Sequence, residues 1–329
     1  MKHYNIPVFV PHVGCPNDCV FCNQKHITGK LKEITEEEIT DTIEEHLKTI
    51  PEDSHKEIAF FGGSFTGIDT ELQIRYLSIA KRYIENGKVS GIRLSTRPDY
   101  IDREILSLLA EFGVKVIELG VQSMSPEVLK ASNRGHTPED VEKAAKLIKE
   151  YGFSLGLQMM TGLPGDTDAS AEETADKLIA LSPDFVRIYP TLVIKDTELE
   201  RMYIRGEYIP QGLEAAVELA AKLLRKFNAV GITVIRIALM TTDEISPGGK
   251  LVAGPFHSAF RELVESRIYF EDIIMEKGEE SEFIVAVNPG EISKVVGNKK
   301  SNILKFKELG LKVTVKGDKR IKKGNFKIR

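Results

Sequence analysis

Cysteine is nearly absent. The 329 residues hold three, Cys15, Cys19 and Cys22, all within eight positions. An odd and tightly spaced set excludes a disulfide framework. No apolar run approaches the roughly 18 residues of a membrane-spanning helix. The start, MKHYNIPVFVPHVGC, lacks the apolar stretch and cleavage site of a signal peptide, so a cytoplasmic protein is expected. Solenoid repeats and low-complexity tracts are missing as well. What is present, with 42% hydrophobic residues, suffices for one large domain and a small one.

Positive charge is scarce until the end of the chain. Residues 291–329 carry thirteen Lys and Arg against three Asp and Glu, a balance of +10. The other 290 residues carry 32 against 46, or −14. A basic terminal region attached to an acidic body points to a polyanionic partner, or else to a solvated lysine face.

Six short apolar runs read as strands: 6–10, 57–63, 91–95, 114–121, 153–160 and 184–190. Several are almost continuously apolar, as in a parallel sheet covered on both faces. Helical signals lie between them. Thr35 and Glu38 form a capping box ahead of Ile39, Ile43 and Leu47, and Thr137 with Pro138 opens another helix. The alternation predicts an α/β fold, a partial (β/α)6 TIM-type barrel, with an open doubly wound sheet as the competing topology. The expected organisation is a barrel over 1–240, a connecting helix and strand over 241–280, and a small basic α+β module over 281–329.

Cys15, Cys19 and Cys22 are spaced C-x3-C-x2-C and begin five residues beyond the first strand, on the loop edge where βα barrels place their active sites. Three thiolates so close suit a metal. A Cys3His zinc site, completed by His12 or His26, and a cuboidal 4Fe-4S cluster with one open iron fit them equally.

The same spacing, with Phe21 before the third cysteine, resembles the radical S-adenosylmethionine superfamily. That resemblance implies a 4Fe-4S cluster on the three cysteines and S-adenosylmethionine on its open iron. It also implies cofactor contacts along the barrel edge. These are Gly62, Gly63 and Ser64 in FFGGSFTG, Ser95 and Arg97 in LSTRPDYI, Gln122 and Arg134 in GVQS…NRGH, and Gln158 in LQMMTGLPGDT. The GVQS…NRGH and IYPTLVIKDTEL segments are similar to the Elongator catalytic subunit family and, more loosely, to oxygen-independent coproporphyrinogen oxidases. In the first family the second segment shapes a substrate chamber, which would place Tyr189, Lys195 and Arg205 there. The likeness covers residues 6 to about 240. It does not extend to that family's longer cysteine spacing or its acetyltransferase domain, so carboxymethyluridine formation is not carried over.

Residues 288–315 resemble a K-homology fold, whose Gly-x-x-Gly loop grips a nucleic-acid backbone. Here the loop is Gly297-Asn298-Lys299-Lys300, with lysine replacing the second glycine and Lys294 and Lys305 expected nearby. The resulting expectation is a radical enzyme acting on RNA, such as a tRNA base, and drawing electrons from a flavodoxin or ferredoxin. The alternatives are a small-metabolite or tetrapyrrole substrate, or a zinc-containing RNA-binding protein without catalysis.

Overall fold

In the computed structural model, residues 2–10, 19–22, 33–239, 242, 245, 246 and 248–329 are described. Cys15, His12 and His26 lie outside them. Seven parallel strands form one sheet in the order β1-β2-β3-β4-β5-β6-β8. They are β1 (His3–Val10), β2 (His55–Gly62), β3 (Gly91–Thr96), β4 (Val114–Gln122), β5 (Ser154–Thr161), β6 (Phe185–Pro190) and β8 (Thr233–Ile237). The two-residue β7 (Val193–Ile194) pairs apart from them with β9 (Leu251–Ala253).

A doubly wound sheet reverses its strand order at a switch point, whereas a barrel adds strands in sequence. The observed order never reverses, and among the described residues β1 and β8 each pair on one side only, so this is a partial barrel. β8 makes it seven strands and not six. Its pattern, exposed–buried–exposed–partial–buried, is less apolar than that of β2 or β3, which is why the sequence rhythm fades after residue 190.

Local chemistry accounts for the helices. The capping box of Thr35 and Glu38 opens Glu36–Thr49, and its buried Ile39 and Ile43 share one face. Thr137 and Asp140 box the start of Pro138–Glu150, which buries Val141, Ala144, Ala145 and Ile148. Under the sheet, Phe60 packs on Phe65 and stacks on Tyr76, all fully buried. No helix among the described residues is long and apolar enough to cross a membrane.

The chain divides into two compact units. The first comprises residues 1–210 and 226–254, and the second 211–225 and 255–329. The helix Phe260–Glu276, expected as a connector, is instead part of the terminal module. Its Tyr269 and Ile273 share a core with Phe283, Val285, Val287, Val295 and Phe306. Polar clamps reinforce that core: buried Asn302 donates to the Ser266 carbonyl at 2.9 Å, and Tyr269 donates to Glu291 at 2.8 Å. The module's sheet runs β11-β10-β12, from β10 (Glu282–Val287), β11 (Lys312–Gly317) and β12 (Phe326–Ile328). β10 and β11 are parallel, linked through the helices Ile292–Val296 and Ser301–Glu308.

Candidate cofactor and active site

In the first unit, one cleft at the C-terminal ends of the strands is lined by Cys19, Cys22, Gly62, Gly63, Ser64, Ser95, Arg97, Gln122, Arg134 and Gln158. The structure thus brings together every described cofactor and metal residue expected from the sequence.

Backbone bonds set the cysteine segment in place. Val20 N–H donates to the Ser132 carbonyl at 3.1 Å, and the Val20 carbonyl accepts from Leu199 N–H at 2.7 Å. A tight turn follows, Cys22 N–H donating to the Cys19 carbonyl at 2.9 Å. Val20 is buried with Val193, Leu199 and Tyr208, and Phe21 packs against them. The two apolar residues between the thiols therefore anchor the segment while Cys19 and Cys22 face the cleft.

Arg134 joins the thiols to the strand ends. It donates to Cys19 Sγ at 3.5 Å and to the Gly120 carbonyl at 2.6 Å, while its buried Nε has no hydrogen-bond partner among the described residues. A buried cationic N–H left without an acceptor is costly unless a ligand supplies one. Gly120 leaves the room this needs, since a Cβ there would stand 2.9 Å from Arg134 Nη2 and 3.0 Å from Gln122 Nε2. Gly62, with a φ of +103°, is held 2.8 Å from the Val10 carbonyl by the same measure. The missing Cβ thus makes room for the Val10 carbonyl at Gly62 and for Arg134 and Gln122 at Gly120.

Gln122 ends β4 with a φ of +69°, at a register shift where it pairs with Met159. A left-handed non-glycine residue is strained and tends to persist at functional sites. The turn brings its Oε1 within 3.2 Å of Gln158 Nε2. Met160 follows on the half-buried side of β5, whereas Met159 is plain core.

Ser64 and Arg97 are tied more firmly than the sequence suggests. Ser64 Oγ contacts Thr96 Oγ1 at 2.8 Å and accepts from Arg97 N–H at 3.1 Å. Arg97 is bidentate to Asp99, at 2.9 and 2.8 Å, with Tyr100 beneath its guanidinium. Its side chain is almost fully buried in that pairing. Close by, His136 is pushed down to about 3, by burial first and then by the positive charges of Arg134 and Arg97. It is therefore neutral, and its Nε2–H donates to the Val121 carbonyl at 3.1 Å.

Sequence reasoning missed the floor of the cleft. Glu118, whose side chain is 6% exposed, takes both Arg187, with Nη2 at 3.0 Å, and Arg93 at 3.4 Å. Arg93 also reaches Glu57 at 3.0 Å, and Arg187 donates to Tyr189 Oη at 3.3 Å. Burial pulls the Arg187 pKa down, but Glu118 and Tyr189 together outweigh it and raise the value overall. The signal was available: these charges occupy alternate positions of otherwise apolar strands, the positions that face a barrel interior. Arg205, expected in a substrate chamber, instead pairs on the surface with Glu198 and Glu207. Lys195 is exposed, and its backbone N–H donates to the Lys250 carbonyl.

The donor set fits an iron–sulfur cluster with an anionic, nucleotide-like ligand: thiols on a buried anchor, glycine-lined strand ends and an unsatisfied guanidinium N–H. Comparison with known proteins agrees. The family model described as Radical SAM superfamily matches residues 9–178, and the Radical_SAM C-terminal domain matches 183–269. An uncharacterized protein of Methanocaldococcus jannaschii is 34% identical over 224 residues, covering 63% of this chain and 66% of its own. The tRNA uridine(34) acetyltransferase of the same organism is 34% identical over 197 residues, covering 53% and 36% respectively. The solved structure of archaeal Elp3 from Methanocaldococcus infernus aligns with a TM-score of 0.64 at 25% identity, covering 85% of this chain and 64% of that one. This chain thus spans between about a third and two thirds of the length of these relatives.

Proposed function

Because the chain belongs to the Radical SAM superfamily, we propose that it is a radical enzyme that modifies RNA, with a tRNA base as its substrate. The cofactors of that superfamily are a 4Fe-4S cluster and S-adenosylmethionine. When bound together they supply a 5′-deoxyadenosyl radical, which takes hydrogen from an unactivated C–H bond.

The chain's own residues hold and shield that pair. Cys19 and Cys22, with Cys15 from outside the described residues, take three irons. The strand-end backbone at Gly62 and Gly63 accepts the methionine moiety, and the free Arg134 Nε–H meets its carboxylate. Gln122 and Gln158, already bonded to each other, meet the adenosine side, and Ser95 meets the ribose. The Glu118–Arg187–Arg93 chain closes the floor with fixed, mutually neutralising charges, so the cleft needs no water there. The orphaned Arg134 Nε, aligned with Cys19 and Gly120, is the observation that carries this reading.

The substrate class is supported by the likeness to a tRNA uridine(34) acetyltransferase and by the basic module. Within the module, Lys294 is committed to Glu265 and Glu291, and Lys305 to Glu214. Lys299 and Lys300 make no ion pair among the described residues, which leaves Gly297, Lys299 and Lys300 as the backbone-gripping set. Cytoplasmic location and a flavodoxin- or ferredoxin-type donor belong to the same proposal.

Anaerobic reconstitution with iron and sulfide tests it. The protein should turn brown and, once reduced, convert S-adenosylmethionine to methionine and 5′-deoxyadenosine. Arg134→Ala should cut the rate at least tenfold with the iron content unchanged. Nucleoside analysis of incubated bulk tRNA should then show a changed base. A colourless protein holding one tetrahedral zinc on the three cysteines would refute the enzymatic reading. Turnover with every tRNA nucleoside unaltered would refute the substrate alone.

A further inference from the structure

At the N-terminal ends of the strands, far along β1 and β2 from the cleft, lies a second cluster of ligating side chains. His3 and His55 are direct partners in the parallel register of these strands, and Glu57 follows two residues later on the same face. The imidazoles meet edge to face with centroids 5.0 Å apart. His3 Nε2 is 2.9 Å and His55 Nε2 3.6 Å from opposite oxygens of the Glu57 carboxylate, and one donor atom from each residue lies within 4.8 Å of the others.

We propose that His3, His55 and Glu57 form a divalent transition-metal site that pins β1 to β2. Two imidazole nitrogens and one carboxylate are a donor set suited to zinc and its neighbours, and unsuited to magnesium or calcium. In a tetrahedral zinc site with metal–nitrogen bonds of about 2.0–2.1 Å, neighbouring donors stand about 3.3 Å apart. The two histidine–carboxylate spacings bracket that value and the side between the imidazoles is within 4.8 Å, so the closure needed is a rotation of two half-exposed imidazoles.

The carboxylate is the fixed member. Glu57 is buried with 6% of its side chain exposed, and Arg93 Nε stands 3.0 Å from Oε2, the oxygen that His3 also meets. Arg93 opposes a cation electrostatically. It is shared with Glu118 at 3.4 Å, and Glu118 in turn pairs with Arg187, so the two carboxylates and two guanidiniums balance and a bound cation would draw on the second Glu57 oxygen, the one that faces His55. An outer partner that orients a ligating carboxylate in this way is usual at metal sites. β1 is an edge strand that leads directly to the cysteine segment, so a metal here would tether a strand that has one neighbour in the sheet.

The test uses the full chain with its cluster installed, iron and sulfide being measured at four each per chain so that the three cysteines are occupied. Titration with Zn2+ in anaerobic calorimetry should show one further equivalent, and the thermal midpoint should rise by several degrees. His3→Ala and His55→Ala should each weaken the affinity at least tenfold and remove the thermal shift. His46→Ala, on the helix Glu36–Thr49, should change neither. Glu57→Gln risks unpairing buried Arg93, so the two half-exposed histidines decide the question. The proposal is overturned if the wild-type protein takes up no zinc beyond the cluster, or if His55→Ala binds it as tightly as the wild type.

Discussion

At the scale of single residues, the cleft is governed by what a missing side chain permits. Gly120 is the sharpest case. Its ideal Cβ would meet only the far ends of Arg134 and Gln122, both able to swing aside, and its backbone is not in the left-handed region. Gly120→Ala should therefore leave the chain folded, with a loss by denaturation of no more than the about 1.5–3 kcal/mol of the Arg134–Gly120 hydrogen bond. Arg134 would lose its place against the Gly120 carbonyl and Cys19. Its Nε–H would then also miss the cofactor's carboxylate, and a charged hydrogen bond of that kind is worth about 1.5–3 kcal/mol, so S-adenosylmethionine affinity, read by equilibrium dialysis, should fall by more than tenfold. Unchanged affinity would mean that Arg134 does not meet the cofactor. Gly62→Ala is the contrasting substitution: the left-handed φ and the Val10 carbonyl at 2.8 Å leave it no adjustment, and it should destabilise the fold itself.

Elements show where sequence reading succeeded and where it stopped. The first six strands were legible because burial on both faces makes a parallel strand continuously apolar. β8 reads as a strand-like run, ITVIRIAL, but not as the barrel's seventh strand, because it exposes Thr233 and Ile235 and breaks the continuously apolar pattern of the others. The site motifs were legible because glycine, arginine and glutamine at strand ends are out of place in a core. The Glu118–Arg187–Arg93 floor went unseen because only the register brings three separate strands together. The module's boundary was hidden too: the helix Phe260–Glu276 is contiguous with the barrel in sequence, and only packing assigns Tyr269 and Ile273 to the second unit. Within that unit the loop at 297–300 stores strain. Lys299 and Lys300 both adopt positive φ, +51° and +63°, where glycine would sit without penalty. Lys300→Gly should raise the stability of the second unit by about 1 kcal/mol, seen as slower hydrogen exchange in β10. It should also weaken RNA binding, so that stability and affinity move in opposite directions. If both improved, the strained lysine would have no part in binding.

For the whole molecule, the charge distribution decides how a polyanion is met. An acidic chain of net −4 should be repelled by nucleic acid on average, so any association must come from the +10 segment outweighing the −14 elsewhere. Backbone contacts release condensed counterions, and the slope of log affinity against log salt for single strands is about −0.7 for each phosphate neutralised. Two lysines gripping two phosphates through the 297–300 loop would contribute about −1.4 to that slope. Lys299→Ala/Lys300→Ala should therefore weaken tRNA binding most at low salt, with the two affinity lines converging as salt rises. S-adenosylmethionine cleavage without RNA should not change, since both residues lie outside the unit that holds the cleft. Filter binding from 50 to 300 mM salt reads the slope directly. Parallel lines for the two proteins would show that these lysines neutralise no phosphate, and RNA would then have to reach the enzyme through some other surface.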